Sequence, residues 1–468
     1  MFFNPNLLLK ISHIDFATHH ITGGFTYPPY FAWYSARNLR RIEFRIIKAL
    51  KDSNFKFALY AHFPFCISRC TFCRFYSLAN NNPRDYDEIL NYMIKELTIW
   101  AGIIHRSRKI RERIPLESIY LGGGTPTLFN LEKFFNVLTK KFNIDYCKQI
   151  NLESTPQALN EEKLRFYKKI GVNRLLIGIQ SLDSKVLTAV NRFPSQRDVL
   201  KKNYNLARKI GLTGINFELI AGLPKQSAKS FLRDLRELIK LKPDGIHIYR
   251  FVVTPLSILG ASGYRLNKEA KTQIEGMLQQ AKRLLWENGY IRSGDEWILK
   301  DKELAKNFQL ASRPNLIPIG PNASGSVKTK LYNFHFANLL NIEKYKEKIL
   351  KNNLAIGRYF ILKGKNELIR KRFIDSMRFS EINYSSTDYK FLEKEFKFLE
   401  SRGIIKIKGP YLKIIEHSSW LWPRIFYSPK ILKRCNKMIN AKYAHLIPRL
   451  AELDFALHRR KLYDLSRG

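Results

Sequence analysis

The stretch FALYAHFPFCISRCTFCRF, residues 57–75, joins two signals: an apolar run of strand type and, directly after it, three cysteines spaced Cys66-x3-Cys70-x2-Cys73. Three thiolates on one short loop can wrap a cubane iron–sulfur cluster and ligate three of its four irons, leaving the fourth iron open to substrate or cofactor. A structural zinc site needs a fourth protein ligand near by, and no further cysteine follows at close range.

Outward from this loop, the chain alternates short strand-type runs with segments of helical period, the pattern of a parallel sheet. The expected strands are FALYAHF (57–63), SIYLG (118–122), INLES (150–154), RLLIGI (174–179), INFELIA (215–221) and IHIYRFV (246–252). After Pro83, the residues Tyr86, Ile89, Leu90, Met93, Ile94, Leu97 and Trp100 share one helical face. Weaker helical patterns follow near 131–142, 160–169, 196–210 and 226–240. Six βα units fall short of a closed eight-stranded barrel, so the expected fold is α/β, a partial TIM-like (β/α)6 barrel with ligands at the C-terminal strand ends.

Residues 1–56 read as an N-terminal extension, with TYPPY breaking regular structure before a basic helical stretch. The barrel is expected over 57–265. Residues 266–468 are expected to form a mostly helical C-terminal domain. Within it, DYKFLEKEFKFLESRGIIKIKGPYLKII reads helix, turn, two short strands, a winged-helix-like unit with Gly403 closing the helix and Gly409-Pro410 making the hairpin.

The 468 residues carry 81 Lys+Arg against 40 Asp+Glu, a formal charge of +41. The basic residues are spread over the helices, so solvated helix faces account for much of this charge, and an acidic substrate is compatible with it. Nucleic acid is not the expected partner. No long uncharged apolar run occurs, and the start lacks the features of an export signal, so a cytoplasmic protein without membrane partner is expected, acting as a monomer. Of the five cysteines, Cys147 and Cys435 have no partner in sequence and read as ordinary thiols.

Further motifs sit just after the expected strands. Gly122-Gly123-Gly124 allows backbone amides to approach a ligand with no Cβ in the way, and Thr125 adds a hydroxyl; most lone glycine triplets are merely tight turns. Glu153, polar at the end of an apolar strand, can accept two hydrogen bonds from ribose hydroxyls. His62 shares a strand face with Tyr60 and is either a satisfied core histidine or an active-site group.

The cysteine loop resembles the signature of the radical S-adenosylmethionine (AdoMet) superfamily, and its flanks resemble the oxygen-independent coproporphyrinogen III oxidases. Tyr60, His62, Pro64, Phe65 and Cys66 match that family's opening motif; GGGTPT (122–127), Glu153, IGIQS (177–181), Arg192 and AGLPKQ (221–226) follow in order. The resemblance is good over 55–256 and loose beyond.

It implies a [4Fe-4S] cluster on Cys66, Cys70 and Cys73. It also implies one AdoMet lined by Tyr60, Gly123, Glu153 and Val252 with Phe72 close to its nucleoside, and contacts from Gln180, Arg192 and Glu218 to a second. Gln180 could instead bond its own loop, and Arg192 could be an ordinary basic residue. Tyr60 and His62 are expected in catalysis, and an electron donor such as flavodoxin or ferredoxin as partner. The segment PIGPNASGS (318–326) and TYPPY are expected to cover the barrel mouth.

Two positions depart from the family: Glu218 stands where Asp is usual, and Phe75 where the oxidases often carry a fourth cysteine. The implied reaction is oxidative decarboxylation of two propionates of an acidic tetrapyrrole in porphyrin biosynthesis. The rivals are a radical methyltransferase of a specialised metabolite and a heme chaperone on the same scaffold.

Overall fold

The computed structural model describes residues 33–431 apart from 55, 195, 254–256, 294–295, 300–314, 377–380, 402, 416–425, 427 and 429. The TYPPY segment and Cys435 lie outside the described residues. Helix α1 (Leu39–Asp52) starts at Asn38, whose side chain accepts from the Arg41 amide, and buries Ile42, Ile46, Ala49 and Leu50. Strand β1 (Phe57–Phe63) then leads into the cysteine loop.

The six expected strands are present: β1, β2 (Ile114–Gly123), β3 (Gln149–Ser154), β4 (Arg174–Gln180), β5 (Ile215–Ala221) and β6 (Gly245–Arg250). They lie side by side in chain order and all parallel. Successive crossovers through helices give this sequential order. The crossover helices are α2 (Pro83–Arg108), α3 (Leu131–Lys141), α4 (Glu161–Lys169), α5 (Arg197–Lys209) and α6 (Ala228–Lys240). Their apolar faces meet the sheet in one core that includes Leu97, Trp100, Phe134, Tyr167, Phe217 and Phe231. The sheet does not close, as six units require.

The region beyond 265 is less helical than its sequence suggests. After α7 (Lys268–Glu287), the strands β7 (Tyr290–Ser293) and β8 (Glu296–Leu299) extend the sheet beside β6. At the other edge, β9 (Asn315–Ile319) runs parallel to β1, followed by β10 (Ser324–Lys328) and β11 (Tyr332–Asn338). Beyond α8 (Ile342–Leu350), β12 (Ile356–Lys363) continues the sheet antiparallel to β11. Strand β11 is buried on both faces, so its apolar residues do not alternate and cannot be told from a buried helix by period.

Segment 318–326 does not cover the barrel mouth, as none of it lines the cavity there. It is the end of β9, a tight turn and the start of β10, seated by the fully buried Glu96 of α2, which accepts from the Gly320 amide (2.7 Å), Asn338 Nδ2 (2.7 Å) and Tyr345 Oη (2.6 Å). Burial raises the Glu96 carboxyl to about 7.

The winged-helix-like unit forms as expected. After α9 (Lys365–Ser376), a three-stranded sheet of β13 (Glu381–Asn383), β14 (Ile405–Lys408) and β15 (Tyr411–Ile414) packs with α10 (Ser386–Ser401). Its core of Phe373, Leu392, Phe396 and Leu412 is separate from that of the barrel. Among the described residues, no helix is long and apolar enough to cross a membrane.

Candidate active site

The C-terminal ends of the parallel strands surround a cavity of about 670 Å³, lined by all three clustered cysteines. The cysteine loop is closed at its base, where the Asn80 amide donates to Cys66 O (2.9 Å) and the Leu78 amide to Pro64 O (2.8 Å). It is also held from the far side: Thr71 N donates to Val190 O (3.0 Å), Leu259 N to Thr71 O (2.9 Å) and Asn191 Nδ2 to Arg69 O (3.0 Å). Burial pushes the Cys66 thiol up to about 11 and raises that of Cys73 as well. Bound metal ions reverse that cost by taking the thiolates as ligands.

The glycine loop after β2 lies against this loop. Gly124 N donates to Phe63 O (2.7 Å), Thr125 N to Phe65 O (2.9 Å), and Thr125 Oγ1 lies 3.4 Å from Cys66 Sγ. A Cβ on Gly124 would meet Phe65 O at 2.4 Å, so the close approach needs glycine. Gly123 has φ +107° and donates its amide to Glu153 Oε2 (3.1 Å), while Tyr120 Oη donates to Oε1 (2.6 Å). Burial, and then the Glu218 charge, raise the Glu153 carboxyl to about 7 against these two hydrogen bonds.

Gln180, Arg192 and Glu218 form the far pole of the cavity. They converge on Gly178: a Cβ there would stand 2.9 Å from Gln180 Nε2, 3.5 Å from Arg192 Nη2 and 3.6 Å from Glu218 Oε2. Tyr249 Oη donates to Glu218 Oε1 (3.1 Å). Phe72 and Val252 line the cavity, and Arg74, Arg250 and Phe75 add two cations and an aromatic ring. The sequence reading missed Tyr120, Tyr249, Arg74 and Arg250. Tyr120 was findable by parity, since it sits two residues before Gly122 and in register with Tyr60.

Tyr60 and His62 do not line the cavity. His62 is 3% exposed; its Nε2 lies 2.8 Å from Tyr76 O, and its Nδ1 lies 2.8 Å from Tyr60 Oη. A carbonyl only accepts, so Nε2 carries the proton and Nδ1 accepts from Tyr60. Burial lowers the imidazole to about 4, which keeps it neutral. The pair lies behind the cysteine loop, with His62 bonded to Tyr76 O of that segment.

The residues present fit an iron–sulfur cluster and a zwitterionic ligand. A cubane takes its thiolates at three separate irons, and Cys66, Cys70 and Cys73 line one end of the cavity from a single loop. At the far pole, Gln180 Oε1 and Arg192 Nε are buried with no partner among the described residues, one an acceptor and the other a donor.

The radical SAM superfamily profile matches residues 60–238. Heme chaperone HemW of Buchnera aphidicola subsp. Schizaphis graminum is 30% identical over 318 residues, 67% of this chain and 79% of that protein. The oxygen-independent coproporphyrinogen III oxidase of Escherichia coli K12 is 27% identical over 359 residues, 72% of this chain and 74% of that protein. The solved structure of coproporphyrinogen III oxidase (HemN) from Escherichia coli, a radical SAM enzyme, aligns with a TM-score of 0.72 at 21% identity, covering 91% of this chain and 98% of that one.

Fold and cysteine loop thus define a radical SAM protein, and the chain belongs to the family that unites oxygen-independent coproporphyrinogen III oxidases with heme chaperone HemW. Its cofactors are a [4Fe-4S] cluster and AdoMet.

Proposed function

We propose that the chain is an enzyme that oxidatively decarboxylates propionate side chains of an acidic tetrapyrrole of coproporphyrinogen type. Cys66, Cys70 and Cys73 hold three irons of the cluster, Glu153 accepts from the ribose hydroxyls of AdoMet, and the Gly123–Thr125 backbone faces its methionyl end. With these groups bound, the site supplies a 5′-deoxyadenosyl radical that takes hydrogen from substrate. Tyr120 and the Gly123 amide hold the Glu153 carboxylate in place. The apolar walls at Phe72, Ile220 and Val252 exclude water from the reacting atoms.

The observation that carries this reading is the second pole of the cavity. There Gln180 Oε1 and Arg192 Nε, buried and without a partner among the described residues, offer an acceptor and a donor beyond what one AdoMet beside the cysteine loop uses, as a substrate group or a second AdoMet requires. Arg74 at the wall suits a carboxylate, while Arg250 there is ion-paired with Glu275. Anaerobic incubation of reconstituted protein with dithionite, AdoMet, a one-electron acceptor and coproporphyrinogen III, read by mass spectrometry, tests the reading: loss of carbon dioxide together with two hydrogens from each of two side chains supports it.

A heme chaperone is the second reading. It is favoured by Phe75, 44% exposed at the cavity where a fourth cysteine would stand, and by the 30% identity to HemW. Stoichiometric heme binding without substrate-dependent 5′-deoxyadenosine would support it.

A further inference from the structure

Strand β4 ends in a strained turn. Gln180 has φ +69°, and the Ser181 amide donates to Ile179 O at 2.9 Å across it, a three-residue γ-turn of the rare positive-φ kind. The register with β5 shifts at the same point, between Gly178 and Gln180. A residue with a Cβ keeps such a conformation only where its surroundings over-determine it.

Two buried side chains do so here. Gln196, 1% exposed, donates from Nε2 to both carbonyls that flank Gln180: Ile179 O at 2.7 Å and Ser181 O at 2.5 Å. Its own oxygen has no partner among the described residues, so the amide serves here only as a donor. Asp234 of α6, fully buried, accepts through Oδ2 from Ser181 Oγ (2.7 Å) and from the Leu182 amide (2.8 Å). The carbonyls before and after Gln180, and the residues after it, are therefore fixed while its side chain is left to line the cavity.

We propose that Gln196 and Asp234 are positioning residues for Gln180, a clamp that holds the γ-turn and so keeps the Gln180 amide beside Arg192 and Glu218. This rests on reading the far pole as a ligand-binding end. Without the clamp, the bulge relaxes toward an extended strand, and the alternation of side chains carries Gln180 away from the cavity.

The test uses Gln196→Met, which keeps length and removes both donors, with Gln180→Ala and the double variant, in anaerobically reconstituted protein. The expected result is unchanged iron and sulfide per chain, AdoMet binding by equilibrium dialysis weakened about as much as in Gln180→Ala, roughly tenfold, and a double variant no weaker than either single one. A crystal structure of Gln196→Met should show Gln180 at negative φ. Retained positive φ, or a further loss of affinity in the double variant equal to that in the single one, overturns the clamp. If Gln180→Ala alone changes neither AdoMet affinity nor product formation, the far-pole reading fails by itself, and the φ of Gln180 still decides the clamp. Should Gln196→Met not fold, Asp234→Ala is read by the same measurements.

Discussion

Arg192 Nη1 stands 3.4 Å from Cys70 Sγ while its Nη2 donates to Gly178 O, so one guanidinium ties the cysteine loop to the far pole of the cavity. A cation and a hydrogen bond at a ligating sulfur stabilise the more reduced, more negative cluster. We expect Arg192→Ala to keep its iron, because the three thiols remain, but to show a lower cluster reduction potential by redox titration and at least tenfold weaker ligand binding. The binding loss corresponds to about 1.5–3 kcal/mol for a charged hydrogen bond. An unchanged potential would remove Arg192 from the cluster's environment.

The ligand-free protein should be less stable at pH 8 than at pH 5. Glu153 and Glu96 both rise from an ordinary value of 4.5 to about 7, so each binds its proton more tightly in the folded state. The stability they contribute is complete below 4.5 and lost as pH rises through 7. Glu153→Gln should flatten that slope in denaturant titrations while weakening AdoMet binding. A slope equal to wild type would show that Glu153 titrates normally.

His62 acts in the opposite direction. Its pKa falls from 6.5 to about 4, so the stability it contributes is present above 6.5 and lost as pH drops toward 4. Nitrogen-15 histidine spectra of the ligand-free protein should show one neutral ring, protonated at Nε2, down to pH 5. A midpoint near 6.5 for His62 would contradict its burial behind the cysteine loop, since burial is what lowers its pKa.

Gly124→Ala should bring its new methyl against Phe65 O and Phe63 O, at 2.4 and 2.9 Å in the present geometry. The two loops must separate, and AdoMet affinity should fall by well over tenfold with the fold retained by circular dichroism. Wild-type affinity would mean that the loops do not need this contact.

The barrel was legible because β1 to β6 each pair an apolar run with a following helical period, and because Cys66, Cys70 and Cys73 lie in one loop. The β11 and β12 pairing was not, since a strand buried on both faces has no alternation and finds its partner only in three dimensions. Glu153, Gln180, Arg192 and Glu218 were visible as motif positions and do meet one cavity. Gln196 and Asp234 were invisible: an interior Gln and Asp on predicted helices look like solvated polar residues until the carbonyls they serve are located. His62 was placed on the right strand face, but which side of that face opens to the cavity is a packing outcome.

The central claim is that the bound cofactors take hydrogen from a propionate side chain of a tetrapyrrole. Vinyl formation takes one hydrogen atom from the side-chain carbon next to the ring; the substrate radical then loses carbon dioxide, the carboxyl proton and one electron, the last to a one-electron acceptor that each turnover requires. Coproporphyrinogen III carrying deuterium at that carbon should therefore deliver deuterium to 5′-deoxyadenosine, alongside product that has lost a carboxyl group and one deuterium from each of two side chains, when incubated anaerobically with reduced, reconstituted protein, AdoMet and a one-electron acceptor. No label in 5′-deoxyadenosine and no 5′-deoxyadenosine above background, together with a Soret band from tightly held heme, would contradict it.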